Sequence, residues 1–413
     1  MEEVGLIPHL FRTEYSKMVA VLSKKFGLQY IEIAEDIVSD TFLSASELWG
    51  QKGIPVNPTG WLYTVAQNKT KDFLKRDQIF INKISKAIIR EGIPHESFSL
   101  DLSDENIKDS QLKMMFSICH PCLPIQSQIA LSLHILCGFG ADEIAEALLV
   151  SKESIYKKLL RGKAKLKSEK IKLELPSSPE IHKRLDSVLI TLYLLFSEGY
   201  YSTSQKHSLR KDLCVEAIRL AYLLADNEFT SLPKVNALLA LMCFHSSRFD
   251  ARYNNNNDMI LYDDQDKSLW NDDLIKKGEF YLNRAAKGEV TKFHLEAGIA
   301  FWHTRKFDHP EKWENILQYY NKLLLIEYSP LAALNRTYAV SQAYGIERGI
   351  EEAEKLKLTD NYLYHCLLGD LYKFKSKKNS LSHFNTAISL TKSLHEKKII
   401  SHKIEQLKFQ DAD

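Results

Sequence analysis

The chain of 413 residues is long enough for two or three domains, and 45% hydrophobic with 26% charged residues is ordinary globular composition, which excludes disorder as its main state. A formal net charge of +2 excludes a generally basic protein, so any nucleic-acid surface has to come from local clusters. Six cysteines are too sparse for a disulfide scaffold, and the acidic start Met1-Glu2-Glu3-Val4, with no apolar run near ~18 residues, predicts a cytoplasmic protein without a membrane segment.

Glycine and proline are scarce, β-branched alternation is rare, and apolar residues recur every three or four positions, so an all-α fold is expected. The first helices are predicted over 7–26, 31–49 and 58–76. On the second, Asp36 and Asp40 lie one turn apart and put two carboxylates on one face, with Phe42 and Leu43 adding apolar contact. That face suits basic residues on a partner helix. On the third, Trp61 is followed by Asn68, Lys69, Lys71, Lys75 and Arg76. Amides read bases and cations hold phosphates, so this set suits a nucleic-acid strand. Trp61 offers a stacking surface, although a Trp beside Leu62 and Val65 is more often core.

Periodicity is weak between 77 and 109, where Gly92, Pro94 and a Ser/Asp-rich patch near 97–104 read as a linker. Helices resume over 112–119 and 125–137. Cys119-x-x-Cys122 followed by His134-x-x-Cys137 has spacing that zinc tolerates. Buried thiols acting as small hydrophobes are the expected use of these cysteines, and no metal is expected.

The stretch 138–161 then has the form of a helix-turn-helix. Its first helix would bury Ile144, Ala145 and Leu148, a tight turn follows at 149–151, and Ser151 has the side-chain oxygen to cap the second helix. Lys152, Lys157, Lys158, Arg161, Lys163, Lys165, Lys167 and Lys170 face only Glu153 and Glu169, roughly +6 over one short segment. The apolar residues Ile155, Leu159, Leu160 and Leu166 form the opposite stripe. Such a helix is built for a DNA major groove; a solvated basic helix is the plainer alternative.

Two prolines at 175–179 form a second joint. Beyond it, the aromatic stripe of 193–200 and the amphipathic run 212–220 read as core. The acidic cluster Asp263, Asp264 and Asp266, with Asp272 and Asp273 behind Trp270, has no nucleophile or general base to oppose it, so the chain is not expected to be an enzyme. Near the C-terminus, Leu334/Leu368, Asn335/Gly369, Tyr338/Tyr372, Ile350/Phe384 and Ala353/Ala387 repeat at a 34-residue period, that of tetratricopeptide (TPR) helix pairs, with 300–319 a looser earlier copy.

These residues and their order resemble a bacterial RNA polymerase sigma factor of the extracytoplasmic function type, in the subgroup with a long TPR-like C-terminal extension. The segment 34–42 is similar to the family's region 2.2, which docks on polymerase. The pattern Pro58-x-x-Trp61-Leu62-x-x-Val65-Ala66-x-Asn68 through Arg76 is similar to regions 2.3 and 2.4, which handle the minus-10 element, and the loop 51–57 looks like the place where such factors hold a flipped base. Read without the resemblance, that loop is a helix connection. Gln67 stands where the family usually has arginine, which puts one phosphate contact in doubt. The segment 109–167 resembles region 4, the reader of the minus-35 element.

The resemblance implies sigma region 2 at 1–80, a linker at 81–108, sigma region 4 at 109–172 and a helical extension at 181–413 with TPR-like repeats near 300–405. It implies core RNA polymerase and promoter DNA as partners, with a regulatory protein or peptide possible at the extension, and no cofactor. Asp36, Asp40, Phe42 and Leu43 are expected at the polymerase. Trp61, Asn68, Lys69, Lys71, Lys75 and Arg76 are expected at the minus-10 strand, and Lys152, Glu153, Ser154, Tyr156, Lys157 and Arg161 at the minus-35 groove. The extension, joined directly to the DNA-reading helix, is expected to regulate in cis. Two other readings compete: a helix-turn-helix regulator that does not bind polymerase, and a TPR scaffold that only gathers proteins.

Overall fold

The computed structural model describes residues 6–76, 101, 103–201, 207–252, 260, 262–306, 311–373, 375–391 and 394–409. Among these residues there is no strand, and the helices gather into two compact units, residues 1–235 and 236–413.

The first unit opens with α1 (Leu6–Phe26), α2 (Ile31–Lys52) and α3 (Pro58–Arg76). Their buried residues recur at helical spacing: Tyr15, Met18, Val19, Leu22 and Phe26 on α1 meet Ile31, Ala34, Ile37, Val38 and Ala45 on α2. α4 (Asp104–Ile118) begins well before the predicted position 112, inside the stretch read as linker. Of the Ser/Asp-rich patch read there as loop, Ser103 is the cap and Asp104 the first residue of this helix, while residues 97–100 and 102 lie outside the described residues. Ser103 accepts a hydrogen bond from the Asn106 amide, and Asp104 and Glu105 occupy the first turn, where the helix dipole favours them. Residues 81–100 of that stretch lie outside the described residues.

α5 (Ile125–Leu131) runs into a π-helical turn, Ser132–Leu136, and is followed by α6 (Ala141–Ala147) and α7 (Lys152–Ser168). After a non-helical joint at 171–177, α8 (Ser178–Tyr201) starts with Pro179 in its first turn, where a missing amide hydrogen leaves no bond unmade. α8 and α9 (His207–Asp226) belong to the same unit as the helix-turn-helix. The Arg184 guanidinium on α8 donates to the Phe116 carbonyl at 2.6 Å, and Ser187 and Thr191 both donate to Gln128 Oε1 at 3.0 Å. On α9, Arg219 donates to the Leu136 carbonyl at 2.7 Å. Hydrogen bonds from charged donors contribute about 1.5–3 kcal/mol each, so these arginines hold α8 and α9 to α4 and the π turn.

The second unit holds α10 (Pro233–Ser247), α11 (Asp272–Ala285), α12 (Lys292–His303), α13 (Lys312–Ile326), α14 (Pro330–Tyr344), α15 (Ile346–Leu356), α16 (Tyr362–Tyr372), α17 (Lys377–Leu390) and α18 (Leu394–Phe409). The 34-residue period corresponds to the helix pairs α14–α15 and α16–α17, and Leu334, Leu368, Ile350, Phe384, Ala353 and Ala387 are all buried. Gly369 sits where a Cβ would meet the Phe384 ring at 2.7 Å, so the last pair closes only with glycine. α12 and α13 form the looser pair before them. The segment around Tyr262 acts as a tie: Arg248 stacks 4.5 Å over its ring, its hydroxyl donates to the His303 carbonyl, and Lys312 donates to that hydroxyl.

Replacing Gly369 by valine should destabilise the second unit by about 1–3 kcal/mol through overpacking against Phe384. Thermal unfolding would register this as a loss of several degrees; an unchanged transition would show that the pair is not closed at this point.

Candidate nucleic-acid interface

The helix-turn-helix is specified locally. Glu143 accepts from the Gly140 amide at 2.8 Å and boxes the start of α6. α6 ends in a Schellman motif, with the Val150 amide on the Ala145 carbonyl and the Leu149 amide on the Glu146 carbonyl. The motif puts Leu149 at φ 52, a left-handed position that costs a side-chain-bearing residue about 1 kcal/mol. Ser151 then caps α7 by accepting from the Ser154 amide at 3.2 Å. Ile144 and Ala145 are buried as expected, while Leu148 is half-buried and Ala147 takes the inner place.

α7 buries Ile155, Leu159, Gly162 and Leu166. Gly162 lets it cross α5 closely, since a Cβ there would lie 2.8 Å from Leu131 Cδ1. Leu160, read in sequence as part of the apolar stripe, is instead 65% exposed, because the inner slot is filled by the glycine and Leu131. The outward face carries Lys152, Glu153, Tyr156, Lys157 and Arg161, with Ser154 half-buried. Lys152 is engaged by Asp142 of α6 at 2.7 Å, and Lys165 by Glu169 at 2.6 Å. Lys157, Lys158, Arg161, Lys167 and Lys170 form no ion pair among the described residues. Beside this face lies a cavity of about 680 Å³ lined by Ser127, Ser154, Lys157, Lys158 and Arg161. Such a surface binds phosphate oxygens through charge and hydroxyl donors.

The acidic surface lies on α2. Glu32, Asp36, Asp40, Leu43 and Glu47 are exposed along one side, and Leu43 is 58% exposed. The Asp36 carboxyl is pushed up by partial burial and by the neighbouring carboxylates of Glu35, Asp40 and Glu32. A cationic partner relieves that repulsion. Phe42 is placed differently from the sequence expectation: it is buried, its ring edge-on to Phe11 at 5.0 Å, so it serves the α1–α2 core rather than the outer face.

On α3, Leu62, Ala66 and Thr70 are buried and Thr64, Asn68 and Asp72 are exposed. Lys69 and Lys71 are half-buried. Trp61 is half-buried and packs edge-on to Trp49 at 5.3 Å, giving it one ring edge in the core and part of its surface in solvent. The side chains of Lys75 and Arg76 lie outside the described residues. In the loop before α3, Asn57 accepts from the Gly60 amide and Val56 is fully exposed.

The four candidate zinc ligands of the sequence do not converge. The Cys119 thiol lies 3.9 Å from Ser132 Oγ, and burial pushes it up to about 11. His120 Nδ1 accepts from the Cys122 amide, and Cys137 is buried, its thiol pushed up by burial and by Glu216. Among the described residues no group of three such side chains is placed to hold a metal ion.

His134, the fourth, points elsewhere. Its Nε2 lies 3.3 Å from Glu35 Oε1 on α2, and its Nδ1 is 2.9 Å from the Phe139 carbonyl. A carbonyl only accepts, so Nδ1 carries a proton there, and Nε2 donates to Glu35 only when the ring is imidazolium. The other Glu35 oxygen receives Lys163 of α7 at 2.5 Å. Burial pushes the Glu35 carboxyl up, but the hydrogen bond from His134 and the Lys163 charge outweigh it and hold the carboxyl below its ordinary 4.5. Lys163, expected among the phosphate-facing cations, is drawn instead into this inward pair with Glu35, a residue the sequence analysis does not single out. The available signal was a carboxylate at an inward register, between Ala34 and Ile37, which demands a partner.

A depressed carboxyl contributes stability above its unfolded value and loses it as pH falls through the folded one. Glu35→Ala should therefore cost about 3 kcal/mol at pH 7, a buried pair left half-made, and the deficit should shrink as pH falls below 4.5. Denaturant unfolding of both proteins between pH 7 and pH 3 measures it; a deficit that stays constant would remove the pairing from the account.

Comparison with known proteins gives three family matches. Residues 10–79 match sigma-70 region 2, residues 117–166 match sigma-70 region 4, and residues 184–286 match a family of unknown function (DUF6596). An uncharacterized protein of Rhizobium meliloti (strain 1021) is 30% identical over 389 residues, 92% of each chain. No solved structure matches significantly. No helix among the described residues is long and apolar enough to cross a membrane.

Proposed function

We propose, for a chain that belongs to the extracytoplasmic function type of sigma factor with a C-terminal extension, that its two DNA-reading modules direct core RNA polymerase to promoters and that the extension governs them in cis. Sigma-70 regions 2 and 4 give it a role in promoter recognition. The observation that carries the finer reading is the opposition of two charged faces in one unit: the acidic stripe of α2 and the cationic outer face of α7.

In this reading Asp36, Asp40 and Leu43 dock on a basic polymerase helix. Asn68, Lys69 and Lys71 contact the minus-10 strand, with the solvent side of Trp61 available for stacking. Lys157 and Arg161 hold minus-35 phosphates, and Lys152, Glu153, Ser154 and Tyr156 lie along the groove. Binding energy alone drives initiation, with no covalent step by this chain. Regulation in cis is supported by the packing of α8 and α9 on α4, α5 and the π turn. The extension begins as part of the DNA-reading unit, so its state bears directly on the recognition helix.

Asp36→Lys with Asp40→Lys should cut co-purification of core polymerase at least tenfold; undiminished recovery would favour a regulator that acts without polymerase. Lys157→Ala with Arg161→Ala should flatten the dependence of promoter affinity on salt by roughly one unit of log-log slope per lost phosphate contact. An unaltered slope would take these two residues off the DNA. Removal of residues 236–413 should change run-off transcription several-fold in either direction, and identical activity would end the proposal of regulation in cis.

A further inference from the structure

The cavity beside α7 lies to one side of the line that faces directly away from the core. Opposite the buried Ile155, Leu159 and Leu166, the residues Glu153, Lys157, Leu160 and Ala164 recur every three or four positions and are all exposed. Ser154, Lys158, Arg161 and Lys165 each follow one of these by a single residue, so they turn by about 100° onto one flank. That flank lines the cavity. The wall across from it is the bend between α4 and α5, at Cys122, Leu123, Pro124 and Ser127.

Size, rigidity and chemistry give this hollow the form of a ligand site. Its volume of about 680 Å³ falls among the roughly 300–1,000 Å³ of pockets that enclose small molecules, more space than one backbone phosphate fills. The wall is braced from within. Gln128 donates to the carbonyls of His120 and Leu123 at 3.2 and 2.9 Å, and its own oxygen accepts from Ser187 and Thr191 of α8. A bend fixed in this way lowers the ordering cost of binding. Lys157, Lys158 and Arg161 form no ion pair among the described residues, while Lys165 is shared with Glu169. Glu153 is also in the lining, so the excess of positive charge sits at the lysines and Arg161, with hydroxyls at Ser127 and Ser154 and an apolar stretch at Leu123 and Pro124.

We propose that this cavity is an effector site for a small organic phosphate with two or more negative charges, its phosphates on Lys158, Arg161 and Ser127 and its organic part against Leu123 and Pro124. A guanidinium fork, an ammonium and a hydroxyl are the donors that phosphate oxygens take. The bound anion neutralises Arg161 and Lys158 and sets negative charge beside the path of a DNA strand, so promoter affinity falls. This regulatory half rests on the reading of α7 as a promoter reader; the binding half does not.

The full-length chain carries its own reporter. Cys122 stands half-buried in the wall, and Cys366, half-buried in the second unit, is an internal reference. Alkylation of both by iodoacetamide, followed by peptide mass spectrometry at constant ionic strength, is compared in the presence of ADP, inorganic pyrophosphate, adenosine or a short DNA duplex. Millimolar ADP should slow Cys122 at least fivefold and leave Cys366 unchanged, with pyrophosphate weaker and adenosine without effect. Lys158→Gln with Ser127→Ala should abolish the protection, Lys158→Arg should keep it, and thermal unfolding of each guards against misfolding. With core polymerase added, ADP should weaken promoter binding several-fold in the parent and not in the double variant. No protection by ADP, or equal protection in the double variant, overturns the site. Protection by duplex but not by ADP gives the hollow to the DNA backbone and likewise ends the proposal. Pyrophosphate as effective as ADP removes the organic part from it. Protection by ADP with promoter affinity unchanged overturns the effector role. Protection by ADP with no promoter binding by any form leaves the site standing and overturns the promoter reading instead.

Discussion

A carboxylate placed on the inward register of an amphipathic helix is the constraint around which the first unit is arranged. Glu35 sits where the spacing of Ala34, Ile37 and Val38 turns it toward protein rather than water. A buried charge without partners costs several kcal/mol, so the helices that pack against α2 have to supply cations at that point. Lys163 does so from the recognition helix, and His134, a cation only as imidazolium, faces the same carboxylate from the turn before it. One charge thereby fixes which faces of two modules meet, and leaves their other faces, the acidic stripe of α2 and the basic side of α7, directed to solvent.

The same logic explains why the extension is continuous with the DNA-reading module. α4 and the π turn end in carbonyls that their own helices do not satisfy, and arginines from α8 and α9 fill them. Gln128 receives two hydroxyls from α8 in a buried position. The first part of the extension is thus a structural layer of the region 4 fold, while the helix pairs of residues 236–413 form a unit of their own, built on repeat packing. The groups of α8 and α9 are bonded directly to the helices that carry the reading surface.

Much of this was legible in the sequence because it is local. The Ser151 cap, the turn before it, the inner residues of α7 and the bounds of α3 at Pro58 and Arg76 follow from caps and apolar spacing within a few turns. The 34-residue period located the last helix pairs because each repeat buries the same positions. What escaped was decided across the chain. Neighbours 42 and 43 on a helix differ by about 100° in direction, and only Phe11 on another helix determines that Phe42 turns in and Leu43 out. Leu160 lost its inner place to Gly162 because Leu131 fills the crossing. Glu35 and Lys163 are too far apart in sequence for any window to pair them, and the helix that starts at Asp104 was read as loop because its Ser103 cap was not distinguished from a turn.

The most direct measurement is mapping of transcription start points by purified core polymerase on genomic DNA, with and without the full-length chain. The account predicts a defined set of starts that appear only when the chain is present and that share upstream elements near positions −10 and −35. The same starts in both reactions, or none attributable to the chain, would contradict it.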